Sequence, residues 1–156
     1  NQIGNFTIDM EHVSIITPYI EIKEKSNSSF INHPDKRKAL LDFTIKMLQS
    51  QYPNADYVEV PFLFKDYWTI NSKIEGRADT TGKDVPKELL TDKNKHSIFI
   101  SINGYFGDLN RGVMMLYIID NITERWIMID RTIYNNSPLE TKRMKKRILK
   151  SLEKLK

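Results

Sequence analysis

The second half of the chain contains three strand-like segments in close succession, and this pattern constrains the fold more than any other feature. Residues 97–103 alternate, with isoleucines on one side and serine or aromatic residues on the other. Residues 113–120 are almost entirely apolar, as expected of a strand that is covered on both faces. Residues 125–134 alternate again. Because only short turn-like segments separate them, we predict an antiparallel meander of three strands.

Residues 34–52 have the period of an amphipathic helix. Pro34 fits the first turn, and Asn32 is the predicted N-cap. The predicted buried face consists of apolar residues spaced by three or four positions, widened by two neighbours. They are Leu41, Ile45, Leu48 and Tyr52, with Leu40 and Met47.

Residues 136–156 predict a second helix, which closes the chain. Ser137 is the predicted N-cap, Pro138 the first helical residue, and Glu140 completes a Ser-x-x-Glu capping box. One apolar stripe follows at helical spacing: Met144, Ile148, Leu152 and Leu155. We expect this stripe to pack on the sheet.

The first half contains further strands. Residues 13–23 are rich in β-branched and aromatic residues, and Pro18 within them predicts an edge, a bulge or a break. We expect a loop over 25–29 and a second strand over 56–64. Residues 66–73 fit helix or strand, 75–83 a loop, and 86–90 a short helix.

These elements predict an α+β fold in the order β-α-β-(α)-β-β-β-α. It is a two-layer domain in which two main helices pack on a mostly antiparallel sheet of about five strands. The chain has 156 residues, of which 40% are hydrophobic, and we expect one domain over residues 1–156, with residues 1–10 as a tether-like segment. No cysteine is present, which excludes disulfides, zinc–thiolate sites and cysteine nucleophiles.

The net charge of +4 is concentrated in the last helix. Residues 138–156 hold eight basic and two acidic residues, a charge of +6, which leaves −2 for the other 137 residues. We predict a candidate partner- or anion-binding surface here: Lys142, Arg143, Lys145, Lys146, Arg147 and Lys150. Such cations could neutralise phosphates of nucleic acid or of anionic membrane headgroups. The alternative is a solvated outer face of a helix that packs on the sheet.

No motif for catalysis or cofactor binding is present. The three histidines, His12, His33 and His96, do not share a metal-ligand spacing. We interpret Asp120 as a turn residue, and Asp130 as a partner for Arg111, Arg125 or Arg131. We therefore predict no catalytic residue, cofactor or metal, and a protein that is not an enzyme.

Three segments carry a resemblance to a known family. Residues 96–101 resemble its aromatic–aliphatic strand, 116–126 its hairpin of an apolar strand, Asp-x-x-Thr and a strand with Trp, and 138–155 its closing helix. The order of elements is similar to that of the TolB amino-terminal-like and CsgG-like domains of bacterial envelope lipoproteins. Glu124 departs from the family pattern, which has glycine at this turn position.

The resemblance implies a non-enzymatic module that binds a protein partner of the cell envelope or assembles there. Such assembly includes the formation of homo-oligomers. Asn1 is not methionine, so we expect that the chain begins after something removed. The candidates are a signal peptide, a lipoprotein leader or a segment beyond an arbitrary boundary of the sequence. The expected location is periplasmic or outer-membrane-anchored in a Gram-negative bacterium, with membrane contact only through a removed lipid anchor. The alternatives are a cytoplasmic nucleic-acid-binding module that uses the basic helix, and a small enzyme of cystatin-like fold.

Overall fold

The computed structural model describes residues 6–9, 11–60, 81–82 and 84–156. Within them the strands are β1 Val13–Ile16, β2 Tyr19–Ser26, β3 Ser29–Asn32, β4 Asp56–Val58, β5 His96–Gly107, β6 Arg111–Asp120 and β7 Arg125–Tyr134. The helices are α1 Pro34–Gln51, a 3₁₀ turn Lys87–Leu89 and α2 Thr141–Glu153. The predicted α+β fold, with two main helices on a sheet, is confirmed. The described sheet has seven strands where about five were predicted, and it is mixed where a mostly antiparallel sheet was predicted, because three of its six strand pairs are parallel.

Strand β5 organises the sheet. Along one edge it pairs antiparallel with β6, which pairs with β7, so the predicted meander is confirmed. Along its other edge it pairs parallel with β1 and then with β2. These two strands are separated at Thr17–Pro18, as expected from a proline that cannot donate to a ladder. Strand β4 extends the sheet beside β1 in parallel, and β3 beside β2 in antiparallel orientation.

The predicted loop over residues 25–29 is wrong. Strand β2 continues to Ser26 and returns through the two-residue turn Asn27–Ser28 into β3. Asn27 has a φ of 55°, which asparagine adopts more readily than most residues. Its N–H donates to Asp108 Oδ2 over 2.7 Å, and the Asp108 N–H donates to the Lys25 carbonyl over 2.8 Å. The hairpin is thus held by a turn 81 residues away in sequence.

Helix α1 begins at the predicted residue, Pro34, and ends at Gln51, one residue before the predicted end. Its predicted N-cap is wrong. His33 is the N-cap, without a side-chain capping hydrogen bond, because Asn32 belongs to β3. The buried side is also rotated by about one position: it holds Leu40, Thr44, Met47 and Leu48, while Leu41 and Ile45 are half-buried. Burial of Thr44 is tolerated because its hydroxyl donates to the Leu40 carbonyl over 2.8 Å.

Helix α2 begins at Thr141, so the predicted start at 136 and the predicted capping box are wrong. Ser137 lies in a turn, where its hydroxyl accepts from the Leu139 N–H over 3.1 Å. Glu140 is the N-cap and makes no side-chain capping bond. Pro138 is buried against β5, with its Cγ 3.2 Å from the position that a Cβ on Gly104 would take. This contact holds the turn on the sheet and delays the helix.

The core lies on both faces of the sheet. On the helix-covered face, α1 and α2 pack on isoleucines of β1, β2 and β5, and the predicted stripe Met144, Ile148, Leu152 and Leu155 is buried there. On the opposite face a smaller cluster lies around Trp126, Phe99 and Tyr117. The predicted helix at 86–90 is the 3₁₀ turn, which adds Leu89 to that cluster. Residues 61–64 of the predicted second strand and the ambiguous segment 66–73 lie outside the described residues.

Candidate functional site

The outer side of α2 carries most of the predicted surface. Because Met144, Ile148 and Leu152 fix the inner side on the sheet, the basic residues between them turn away from the core. Lys142, Arg143, Lys145, Lys146 and Lys150 are exposed, and Arg147 is half-buried. The structure therefore brings five of the six predicted residues together on an accessible helix surface.

The two arginines of this set take part in contacts that hold the fold. The Arg143 Nε lies 3.0 Å from the Glu140 carboxylate one turn earlier. The Arg147 guanidinium lies 4.0 Å from the centre of the Tyr134 ring and donates to the Asn136 side chain. Burial lowers the pKa of Arg147 and raises the pKa of Tyr134. Arg147 thus fastens α2 to the end of β7.

The four lysines of the set have no such contacts. Among the described residues, no carboxylate lies within 4 Å of Lys142, Lys145, Lys146 or Lys150. Three of them recur at every fourth position and so follow one line along the helix. We call these four residues the lysine face. Successive lysines on this line are about 6 Å apart along the helix axis, which is less than the Debye length of roughly 8 Å at physiological salt, so neighbouring charges act on an anion together.

Near the end of α2, a third contact pairs another cation with an acidic group of the fold. Asp130 of β7 accepts hydrogen bonds from the Ser151 hydroxyl over 2.5 Å and from the Lys154 ammonium over 2.7 Å. Burial raises the pKa of Asp130, but the hydrogen bonds from Lys154 and Ser151 outweigh it, so the net pKa is lowered. The prediction that Asp130 pairs with an arginine is wrong, because its side chain lies on the helix-covered face.

The remaining candidate residues have structural contacts. Asp120 accepts from the N–H groups of Ile122 and Thr123 over 2.9 and 3.1 Å, which confirms its turn role. His33 lies 2.7 Å from Glu24 and His12 lies 2.8 Å from Asp9. Residues 6–9, 11–60, 81–82 and 84–156 hold no cluster of three or more potential metal ligands. Within the same ranges, no helix has the length and apolar character to cross a bilayer.

Sequence reasoning missed a second surface, on the sheet face opposite the helices. There the side chains of Lys23, Lys25, Phe30, Tyr105 and Arg111 lie side by side on four strands. They come from segments as many as 88 positions apart in sequence. No strand was predicted where Phe30 lies, and the first residue of its strand, Ser29, was predicted to be in a loop. Only the strand register brings them together, so no local pattern could have revealed this surface.

Comparisons with known proteins find similarity at a low level. No family model and no curated protein sequence matches this chain. Three examples represent the solved structures that are similar to it. The PelC dodecamer from Paraburkholderia phytofirmans is 10% identical, with 94% of this chain and 88% of that chain covered and a TM-score of 0.43. The lipoprotein GNA1162 from Neisseria meningitidis is 11% identical, with 80% of each chain covered and a TM-score of 0.39.

The third is the LpoB C-terminal domain from Salmonella enterica, 8% identical, with 83% and 86% coverage and a TM-score of 0.41. The similar structures therefore include a bacterial lipoprotein, while these three carry neither the TolB nor the CsgG name. Similarity at this level carries no inference about fold, activity or partners.

Proposed function

We propose that this protein is a non-enzymatic binding or assembly module of the bacterial cell envelope, and that the lysine face of α2 binds an acidic surface of a protein partner. The observation that carries the proposal is the division of the α2 cations. Arg143, Arg147 and Lys154 contact acidic or aromatic groups of the fold, whereas the lysine face is exposed and, among the described residues, has no carboxylate within 4 Å.

An acidic protein surface fits these lysines better than single-stranded nucleic acid. Nucleic-acid binders of that kind place aromatic rings beside their cations, so that bases can stack. The only ring that contacts α2 cations in the described part is Tyr134, and it is buried beneath Arg147. The lysine face thus offers charge without a stacking platform.

The binding experiment compares three probes on the whole chain: poly-L-glutamate, an oligo-dT strand and phosphatidylglycerol vesicles. Fluorescence anisotropy or vesicle sedimentation at low and physiological salt measures each affinity. We expect salt-sensitive binding of poly-L-glutamate, weakened at least about tenfold by the triple variant K142E/K146E/K150E, since each reversal lies within a Debye length of its neighbour along the helix. The variant K87E/K93E/K95E changes the charge equally at exposed loop lysines, and should bind as the wild type does.

Two results would overturn this assignment. Equal loss in both triple variants would show that only the total charge matters. Tighter binding of oligo-dT or of vesicles than of poly-L-glutamate, lost on the same lysine substitutions, would assign the face to nucleic acid or to lipid headgroups instead.

The envelope location rests on the sequence resemblance and has its own test. The full gene product, expressed in a Gram-negative host, is expected in the periplasmic or membrane fraction after spheroplast preparation. Recovery in the cytoplasmic fraction would refute the location and revive the cytoplasmic alternative. The binding assay does not depend on this outcome.

A further inference from the structure

Strand β3 presents an open edge with unusual side chains. It pairs with β2 on one side, and no described strand pairs with its other side. Its two large apolar residues, Phe30 and Ile31, are 53% and 41% exposed. Natural edge strands usually carry lysine, proline or a bulge that prevents pairing with another strand. The sequence of β3, Ser-Phe-Ile-Asn, contains none of these.

The register shows which backbone groups are free. Ser26 and Ser29 close a two-residue hairpin, so Ser29 and Ile31 exchange hydrogen bonds with β2. The N–H and C=O groups of Phe30 and Asn32 therefore point outward, away from β2. Among the described residues they have no hydrogen-bond partner, and they match the spacing that an added strand needs.

A row of cations and rings lies next to this edge. The Lys25 ammonium is 4.7 Å from the centre of the Phe30 ring, and the Phe30 and Tyr105 ring centres are 5.2 Å apart. The Arg111 guanidinium is 5.9 Å from the Tyr105 ring. Lys23 lies directly opposite Tyr105 in the same ladder. We call Lys23, Lys25, Phe30, Tyr105 and Arg111 the cation–ring row.

The charge of this row selects the partner. In the part of the chain that the structure describes, none of its three cations has a carboxylate within 4 Å. Two acidic groups nearby are already engaged: Glu24 lies 2.7 Å from His33, and Asp108 accepts from the Asn27 N–H. The row therefore presents three cations, none in an ion pair with a described carboxylate, on the face where Phe30 is exposed.

We propose that the outer edge of β3 binds an extended acidic segment of a partner protein by strand addition. The backbone of the segment pairs with Phe30 and Asn32. Because side chains alternate along a strand, every second residue of the segment faces the cation–ring row and carries a carboxylate. The residues between them are apolar and contact Ile31 on the opposite face. The lysine face of α2 takes no part in this site. The proposal for β3 can therefore be refuted or supported independently of the proposed function.

The test uses the fluorescein-labelled peptide Glu-Val-Glu-Val-Glu-Val with the whole chain, measured by anisotropy. We expect saturable binding of this peptide, and none of Lys-Val-Lys-Val-Lys-Val. A Glu-Val peptide that is N-methylated at alternate residues lacks the donors of one edge, and should lose binding. Hydrogen exchange should show protection of the Phe30 and Asn32 amides on addition of the unmodified peptide.

Variants locate the site. F30A and the double variant K25E/R111E should each weaken binding about tenfold or more. I122A removes an isoleucine that is 73% exposed in the β6–β7 turn, and should leave binding unchanged. I31K adds a charge at the edge without changing the cation–ring row, and it should also abolish binding. This variant replaces K25E/R111E as the test if the double variant does not fold.

Three outcomes would overturn the proposal: absence of binding by the wild type, equal binding of the N-methylated peptide, or loss of binding in K142E/K146E/K150E but not in F30A. Tighter binding of oligo-dT than of the acidic peptide, sensitive to F30A, would assign the row to nucleic acid and refute strand addition.

Discussion

The contact between Asp130 and Ser151 gives the sharpest test of how α2 is held on the sheet. Ser151 is buried in the middle of the helix interface, with 2% of its surface exposed, and its hydroxyl donates to Asp130 over 2.5 Å. Replacing Asp130 with alanine leaves this hydroxyl buried without an acceptor. An unsatisfied buried polar group of this kind costs about 1–3 kcal/mol.

The Lys154 contact adds less. Its ammonium lies 2.7 Å from Asp130, but the lysine side chain is 51% exposed. Ion pairs in such surroundings contribute about 0.2–1 kcal/mol. We therefore expect Asp130→Ala to lower the free energy of unfolding by about 2–3 kcal/mol. Asp42→Ala, which breaks an exposed pair with Lys38 on α1, should cost less than about 0.5 kcal/mol and is the matched control.

The assay is a double-mutant cycle with Ser151→Ala, followed by urea unfolding and circular dichroism. When both polar partners are removed, neither is left unsatisfied, so the double variant should be more stable than the sum of the single effects predicts, by about 1–2 kcal/mol. Additivity of the two effects within about 0.3 kcal/mol would refute the assigned contact.

The same contact has a pH dependence. Because the pKa of Asp130 is lowered in the folded state, its contribution is fully present above the unfolded value of about 3.9, and is lost as the pH falls through the folded value. The stability difference between wild type and Asp130→Asn should therefore shrink as the solution is acidified below about pH 4. A constant difference down to the acid transition would contradict this linkage.

Three further predictions concern single positions. Gly112→Ala places a Cβ onto the Tyr134 hydroxyl and the Asn103 carbonyl oxygen, so we expect a loss of about 2–3 kcal/mol in urea unfolding; a neutral effect would refute this packing. Burial lowers the pKa of His96, so wild-type stability should fall more steeply than that of His96→Gln as the pH falls below about 6.5; parallel profiles would exclude this. Glu124 has a φ of 61°, so Glu124→Gly should raise the melting temperature; a lower one would contradict the assigned backbone strain.

Periodicity alone predicted the elements whose partners are close in sequence. The meander from β5 to β7 and the buried stripe of α2 follow from alternation and helical spacing, and the structure confirms both. Glu124 is a related case: it stands where the resembled family has glycine, and it adopts the left-handed backbone that favours glycine.

Two of the errors come from contacts made at long range in the sequence. The β2–β3 hairpin depends on Asp108, and the late start of α2 depends on Pro138 against Gly104. Local residue preferences do not describe such contacts. The rotated face of α1 has a local cause, because the Thr44 hydroxyl donates to the Leu40 carbonyl within the helix and can therefore be buried. The six-residue basic surface was predicted from composition, but its division into arginines that contact Tyr134 or Glu140 and lysines without such contacts depends on where Tyr134 and Glu140 lie.

That division also separates the two proposed surfaces physically. The arginines use the planar guanidinium to contact a ring and a carboxylate within the fold, whereas the exposed cations of the helix are strongly hydrated lysines. Binding to the lysine face therefore depends mainly on Coulomb attraction, and should weaken steeply as salt is added. Binding at β3 adds main-chain hydrogen bonds and apolar contact with Phe30 and Ile31 to the attraction of the cation–ring row, so salt should weaken it less steeply. A partner that binds at both should show a strongly salt-sensitive component that is lost in K142E/K146E/K150E and a less salt-sensitive component that is lost in F30A; identical salt dependence in the two variants would mean that the surfaces are not distinct.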